Sequence, residues 1–188
     1  MSDHLLGSAA GVWLALGAAA VLGFWLLGAY NRLVALRNGI GTAWLQVAAA
    51  LTLRAQAALP LVQTLRQPLL AESSALDTVA SAHSAAVAAA ALLTARPVAP
   101  TAAWVQAEAA LAASASRLLS LIDQHTELQR SAEVAALLAT WHDAHTQLNF
   151  ARRVFDLAAT AYNSALGQAP TRWLVPLFGF SRAGLLGL

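Results

Sequence analysis

Trp141-His142-Asp143-Ala144-His145 sets two imidazoles three positions apart, on one face of any helix that carries them, a spacing that can supply two ligands of a metal site. Two ligands do not hold a metal. His125 and Glu127 fall where one helix gives way to the next and could approach the start of the helix bearing His142, but His125 stands seven residues after Leu118 and continues a packing seam. His83 stands seven from both Leu76 and Ala90, the spacing of a packed, hydrogen-bonded side chain, and has no role assigned. These residues read as polar rim or seam positions, and no metal ligand is expected.

Other chemistries lack their parts. The chain has no cysteine, which excludes disulfides, thiolate nucleophiles, iron–sulfur clusters, Cys-based zinc sites and a lipoprotein anchor. No Gly-rich loop follows a strand, and no Ser sits in a nucleophile elbow. The nearest carboxylates, Asp123 and Glu127, are one helical turn apart and read as a solvated helix end. Gly39-Ile40-Gly41 lacks the strand and the downstream glycine of a dinucleotide fingerprint, and reads as close packing or a hinge. No catalytic residue and no cofactor are expected, and the chain reads as a non-enzyme.

The composition says where such a chain must sit. Of 188 residues 59% are hydrophobic and 11% charged, with mean hydropathy +0.59, too apolar for an ordinary soluble domain. All 11 cations are Arg, and 9 acids leave a net charge of +2, so nucleic acid is not expected as a partner. From Ala9 to Ala29 no residue is charged, and 21 residues at about 1.5 Å each cover the roughly 30 Å of bilayer hydrocarbon. Trp13 at one end and Phe24, Trp25 and Tyr30 at the other suit the interfacial belts. A cleaved signal peptide is the competing reading, but it needs cations ahead of the apolar run, where this chain has Asp3 and no Arg. Arg32 and Arg37 follow the span, so the positive-inside rule puts Met1 outside and the body in the cytoplasm of a single-pass inner-membrane protein.

Beyond Tyr30 no stretch has the alternation of a strand, and breaks fall at Pro68, at 96–100, near 126–131 and at 167–170. The expected fold is all-α: an N-terminal transmembrane helix continuing into an elongated antiparallel four-helix bundle. Its parts are a short segment (1–8), the span (9–29), the bundle (30–170) and an apolar tail (171–188). Thr101 and Ser131 read as N-caps. Apolar residues of the first body helix recur every eleven positions, as in Leu33 and Trp44, Leu36 and Val47, and Ile40, Leu51 and Val62. Those of the last recur every seven: Val134, Trp141, Leu148, Phe155 and Tyr162, beside Leu137 and the Ala series from Ala144 to Ala165. Trp104, Leu111 and Leu118 form the seam of the third helix. If the first and last helices both end at the membrane, Tyr30 meets Asn163 and Arg37 meets Asp156.

The tail is strongly apolar but broken by Pro176 and Gly179, too short to span. Trp173, Leu174, Leu177, Phe178 and Phe180 read either as a contact with the interface or a neighbouring chain, or as a cover for the bundle's own base.

Tyr30, Asn31, Leu33, Val34, Leu36, Arg37 and Asn38, followed by Ala43 and Trp44, and at the far end Ala151, Arg152, Arg153, Tyr162, Asn163, Phe178, Gly179 and Phe180, form a pattern that resembles the LemA family. That resemblance implies a bacterial single-pass membrane protein with a long helical domain, in a family whose magnetosome member is linked to membrane formation. The middle departs from the family's pattern, with Ala48-Ala49-Ala50 in place of its Asp-Val-Gln and a basic pair reduced to Arg54. Sparse charge and an Ala-rich surface favour a self-assembling scaffold that shapes or organises the membrane, a homo-oligomer of closed symmetry whose partners are the lipid bilayer and itself. The alternative is a monomeric or dimeric adaptor holding a membrane protease.

Overall fold

The structure, a computed structural model, describes residues 3–99 and 101–187, with side chains placed from Gly11 onward. Met1 and Ser2 of the expected 1–8 segment, Pro100 of one expected break and Leu188 at the end of the tail lie outside the described residues. The chain is all-α: α1 (Asp3–Leu65), α2 (Ser73–Ala95), α3 (Ala102–Gln124), α4 (Thr126–Arg130), α5 (Ala132–Gly167) and α6 (Thr171–Phe178), with no strand among the described residues.

α1 runs unbroken for 63 residues, about 95 Å, from the apolar run into the body. Its segment from Gly11 to Gly28 is exposed almost throughout, and the helix is long and apolar enough to cross a membrane. α2 also has the length and composition to cross, but it packs against α3 and buries Leu76, Ala86, Ala90 and Leu93. Pro60 sits inside α1, where it removes one ladder bond and costs about 3 kcal/mol. Burial of Ala57, Leu61 and Leu65 on the inner face holds the helix through it.

Two close helix pairs make the body, α1 with α5 and α2 with α3. Between the pairs the approach is wide, since no Cα of α3 comes within 8 Å of α1 or α5. Large side chains bridge the gap at both ends. Toward the apolar segment Trp44, Trp104 and Phe155 meet edge to face, at 6.5 Å and 6.0 Å between centroids. At the far tip Leu61, Leu65, Leu69, Leu76, Leu118, Ile122, Leu128 and Val134 form a second core.

Several expectations change. α5 widens the expected seam: the seven-residue rows hold, with Leu148, Phe155 and Tyr162 buried beside Ala144, Ala151 and Ala165, and Ala159 and Leu166 are added, so that buried residues also recur every eleven, as Ala144, Phe155 and Leu166 do. Trp141, in the first of these rows, is half-buried and packs against the far-tip core. The α1–α5 register differs too. Trp44 meets Phe155, where the expected register would bring Asn149, and Thr64 meets Glu133 at 3.4 Å. α5 stops short of the level expected beside the apolar segment, so Tyr30 packs on Phe178 and Phe180 of the tail, and Arg37 lies near Tyr162 and does not pair with Asp156. Ser131 caps α5, accepting from the Val134 amide at 3.3 Å. Thr101 makes no side-chain cap; its hydroxyl donates to the Leu185 carbonyl at 2.5 Å. Gly39 and Gly41 have open space where a Cβ would stand, which removes the close-packing reading.

Candidate functional site

The tail decides what the gap between the helix pairs becomes. α6 ends at Gly179, whose φ of +64° only glycine takes without strain, and the chain then runs back along α5 without regular structure. α5 holds it by the backbone. Asn163 accepts from the Ala183 amide at 2.8 Å and donates to its carbonyl at 2.9 Å. One turn and three residues back, the Asp156 carboxylate accepts from the Leu186 and Gly187 amides at 2.7 and 3.0 Å. Arg152 donates to the Leu186 and Gly187 carbonyls. From the other pair comes the Thr101 bond to Leu185, and a Cβ on Gly184 would stand only 2.7 Å from the Thr101 hydroxyl oxygen, so glycine is required for this approach. Phe180, Ala183 and Leu186 are buried here, and the lower part of the gap is filled.

Above the tail the gap stays open as a cavity of about 700 Å³, floored by Leu186 and Gly187 and walled by α1, α2, α3 and α5. Most of its wall is Ala, Leu and Val. Into it project Arg54, His83, Glu108, Trp141, His145 and Arg152. Arg54 and Glu108 form a bidentate pair, both bonds 2.7 Å, with each side chain 7% exposed. Arg152 lies over the Trp104 ring, 5.2 Å from its centroid, and burial lowers its pKa, against the raising pull of Glu108 and Asp156. His145 stacks beneath Trp141 at 5.6 Å. Burial, then the Arg54 charge, hold both His83 and His145 below the ordinary histidine range, so both are neutral at neutral pH. Arg54 Nε, His145 Nδ1 and Arg152 Nε are buried without a hydrogen-bond partner among the described residues.

A second feature lies at the level where the apolar run ends. Trp25 meets Trp173 edge to face at 5.9 Å, Tyr30 packs on Phe178 at 4.9 Å, and Arg172 covers Trp173. Of the five tail residues expected to make external contacts, Leu174 and Phe180 are buried in the chain's own core, while Trp173, Leu177 and Phe178 are exposed. Gly179 sets this split, since α6 turns Leu174 inward and the glycine folds Phe180 back under Tyr30, whereas Pro176 sits inside α6 and does not break it as expected. Trp13, Phe24 and Trp25 are exposed and Tyr30 is half-buried.

Of the seam residues, Trp44, Trp104, Leu148, Phe155 and Tyr162 are buried. Burial raises the Tyr162 pKa against the lowering pull of Arg37. His142 is exposed and does not join His145 in the cavity wall. His125 bonds the Leu121 carbonyl at 2.8 Å through Nδ1, and Glu127 is exposed. Sequence reasoning missed Glu108 and the role of Arg54, although a signal existed: Arg54 falls eleven after Ala43 and eleven before Leu65, and Glu108 falls four after Trp104. Two opposite charges thus occupy inner-face positions.

These features define a class: a helical bundle carried on one long apolar helix and closed by its own extended C-terminal segment. The chain belongs to the LemA family, whose pattern matches residues 43–187, through the tail as well as the helices. Comparison with curated proteins finds no match.

Proposed function

We propose that this LemA-family chain is a membrane-anchored, self-assembling helical scaffold that shapes or organises a bacterial membrane. One observation carries the reading: the exposed face of α6, Trp173, Leu177 and Phe178, stands beside Trp25 at the end of the apolar run. An aromatic and aliphatic face at that level suits the headgroup boundary, where it would act as a foot beside the anchor. Supporting lateral assembly, α5 exposes Phe150 and Leu157 two turns apart, α1 exposes Leu45 and Leu53, and α2 exposes Val87 and Leu92. With so little charge to keep copies apart, confinement in a plane favours repetitive contact. Arg32, Arg37, Arg172 and Arg182, near the same end of the body, favour a cytoplasmic body in the inner membrane. The reading involves no catalysis.

The mass of the detergent-extracted full chain tests it. A closed oligomer is expected, falling to monomer in Phe150→Ser/Leu157→Ser, whereas Trp173→Ser/Leu177→Ser/Phe178→Ser should keep the oligomer and alter liposome shape less. Point changes are needed because deleting the tail would also remove Leu174, Phe180 and Leu186 from the core. A full-length monomer at native lipid density overturns the scaffold in favour of an adaptor, the kind of protein that would hold a membrane protease.

A further inference from the structure

We propose that the cavity between the two helix pairs is a binding site for a long-chain carboxylate, a fatty acid lying along the bundle with its chain among the alanines and its head at Arg54 and Arg152. This inference needs the anchor only to keep the bundle beside a source of acyl chains; it does not depend on self-assembly.

Size comes first. At about 700 Å³ the space is within the usual range of small-ligand sites and far beyond one or two bridging waters, whose share of volume is about 30 Å³ each. The α1 wall of the cavity extends from Arg54 to Arg66, about 18 Å of helix. One leaflet of hydrocarbon, half of roughly 30 Å, is the length of an acyl chain and comes to about the same.

The wall chemistry is amphiphilic in the matching order. Along the far part, Ala58, Val62, Ala115 and Leu119 offer only carbon. At the near part, charge does not balance. Arg54 and Arg152 line this part against the single carboxylate of Glu108, and both Glu108 oxygens are taken by Arg54, while the exposed Arg66 borders the opposite end of the α1 wall. Asp156, the nearest other acid to Arg152, is occupied with the tail amides. The Nε atoms of Arg54 and Arg152 and Nδ1 of His145 are buried donors or acceptors with no partner among the described residues. Buried groups of this kind are nearly always satisfied, and their cluster at one end of an apolar slot fits an anionic head. A neutral chain would leave the excess positive charge unmet, and a cation would add to it.

The test uses the full-length protein in nonionic detergent, with palmitate as probe and native mass spectrometry as readout. One saturable palmitate per chain is expected, with hexadecanol, the same chain without the charge, binding at least tenfold more weakly. Ala115→Phe, which fills the slot, and Arg152→Gln, which removes the excess cation, should each weaken palmitate at least tenfold while circular dichroism shows unchanged helix. Absence of saturable binding to the wild type, equal binding of hexadecanol, or undiminished binding to well-folded Ala115→Phe would overturn the proposal. Displacement of palmitate by equimolar phosphatidylglycerol would overturn the assignment to a single-chain acid. The same spectra report the oligomer, so loss of palmitate binding with the oligomer intact removes this inference and leaves the scaffold standing.

Discussion

Replacing Glu108 alone and replacing it together with Arg54 should have opposite consequences. The pair is buried, each side chain 7% exposed, and its two bonds are both 2.7 Å. Hydrogen bonds between charged groups contribute about 1.5–3 kcal/mol each. Glu108→Leu removes two of them and leaves a buried guanidinium without its carboxylate, for which a loss of about 3–5 kcal/mol is expected. The double variant Arg54→Leu/Glu108→Leu removes both charges and their desolvation cost, and should return to within about 1 kcal/mol of the parent or exceed it. With Arg54→Leu as the fourth corner, denaturant unfolding of the full chain in mild detergent, followed by far-ultraviolet circular dichroism, completes the cycle. The expected coupling is at least about 3 kcal/mol. A Glu108→Leu loss below about 1 kcal/mol, the level of an exposed ion pair, would show that the cavity solvates this pair as water does and would refute the reasoning.

Trp44→Ala should cost about 3–5 kcal/mol, since that ring is 1% exposed, and Trp141→Ala less than half as much, because its half-buried ring borders the cavity; equal losses would show that Trp141 is packed as fully as Trp44. Gly184→Ala should push the tail off Thr101 and speed tryptic cleavage after Arg182 several-fold, and an unchanged cleavage rate would show that the tail is not docked there. Stability should fall on acidification. The folded chain holds His83 and His145 below the value of 6.5 that the unfolded chain takes, so protons bind the unfolded state first and stability declines as pH drops below about 6.5. His83 faces Arg54 and Glu108, His145 faces those two with His142 and Arg152, and His83→Ala/His145→Ala should flatten the decline between neutral pH and the depressed values.

Much of the helix architecture is legible because its determinants are local. Pro68, the Ser131 cap and Gly167 each act within a turn of the break they make. The eleven-residue recurrence of α1 is likewise written along one strip of sequence. For α5 the large residues at Val134, Leu148, Phe155 and Tyr162 mark the inner face, while Ala159, buried as deeply, is indistinguishable by type from the many exposed alanines. The tail's course is the least legible feature. Asp156 and Asn163 bind backbone amides 20 to 31 residues away, and any residue type other than proline presents the same amide. The cavity depends on a distance between helix pairs that no single segment encodes, so Arg54 and Glu108 stand out only once the pairs are set beside each other.

In the proposed membrane setting, the contacts of the foot with Trp25 and Tyr30 tie anchor to body, and the uninterrupted helix would act as a lever with its fulcrum at the bilayer surface. From Ala29 to Leu65 the arm is about 54 Å long, so a tilt of about 20° would sweep its tip through about 18 Å. Spans tilt more in thin bilayers than in thick ones, so bilayer thickness would be converted into spacing between the tips of neighbouring bodies. A soft point on the arm near the bilayer is Gly39-Ile40-Gly41, where two glycines each weaken the helix by about 1 kcal/mol relative to alanine and a Cβ at either would meet open space. Spin labels at the exposed Gln67, in bilayers of graded thickness, would read the stroke, and Gly39→Ala/Gly41→Ala should lengthen it by stiffening the arm.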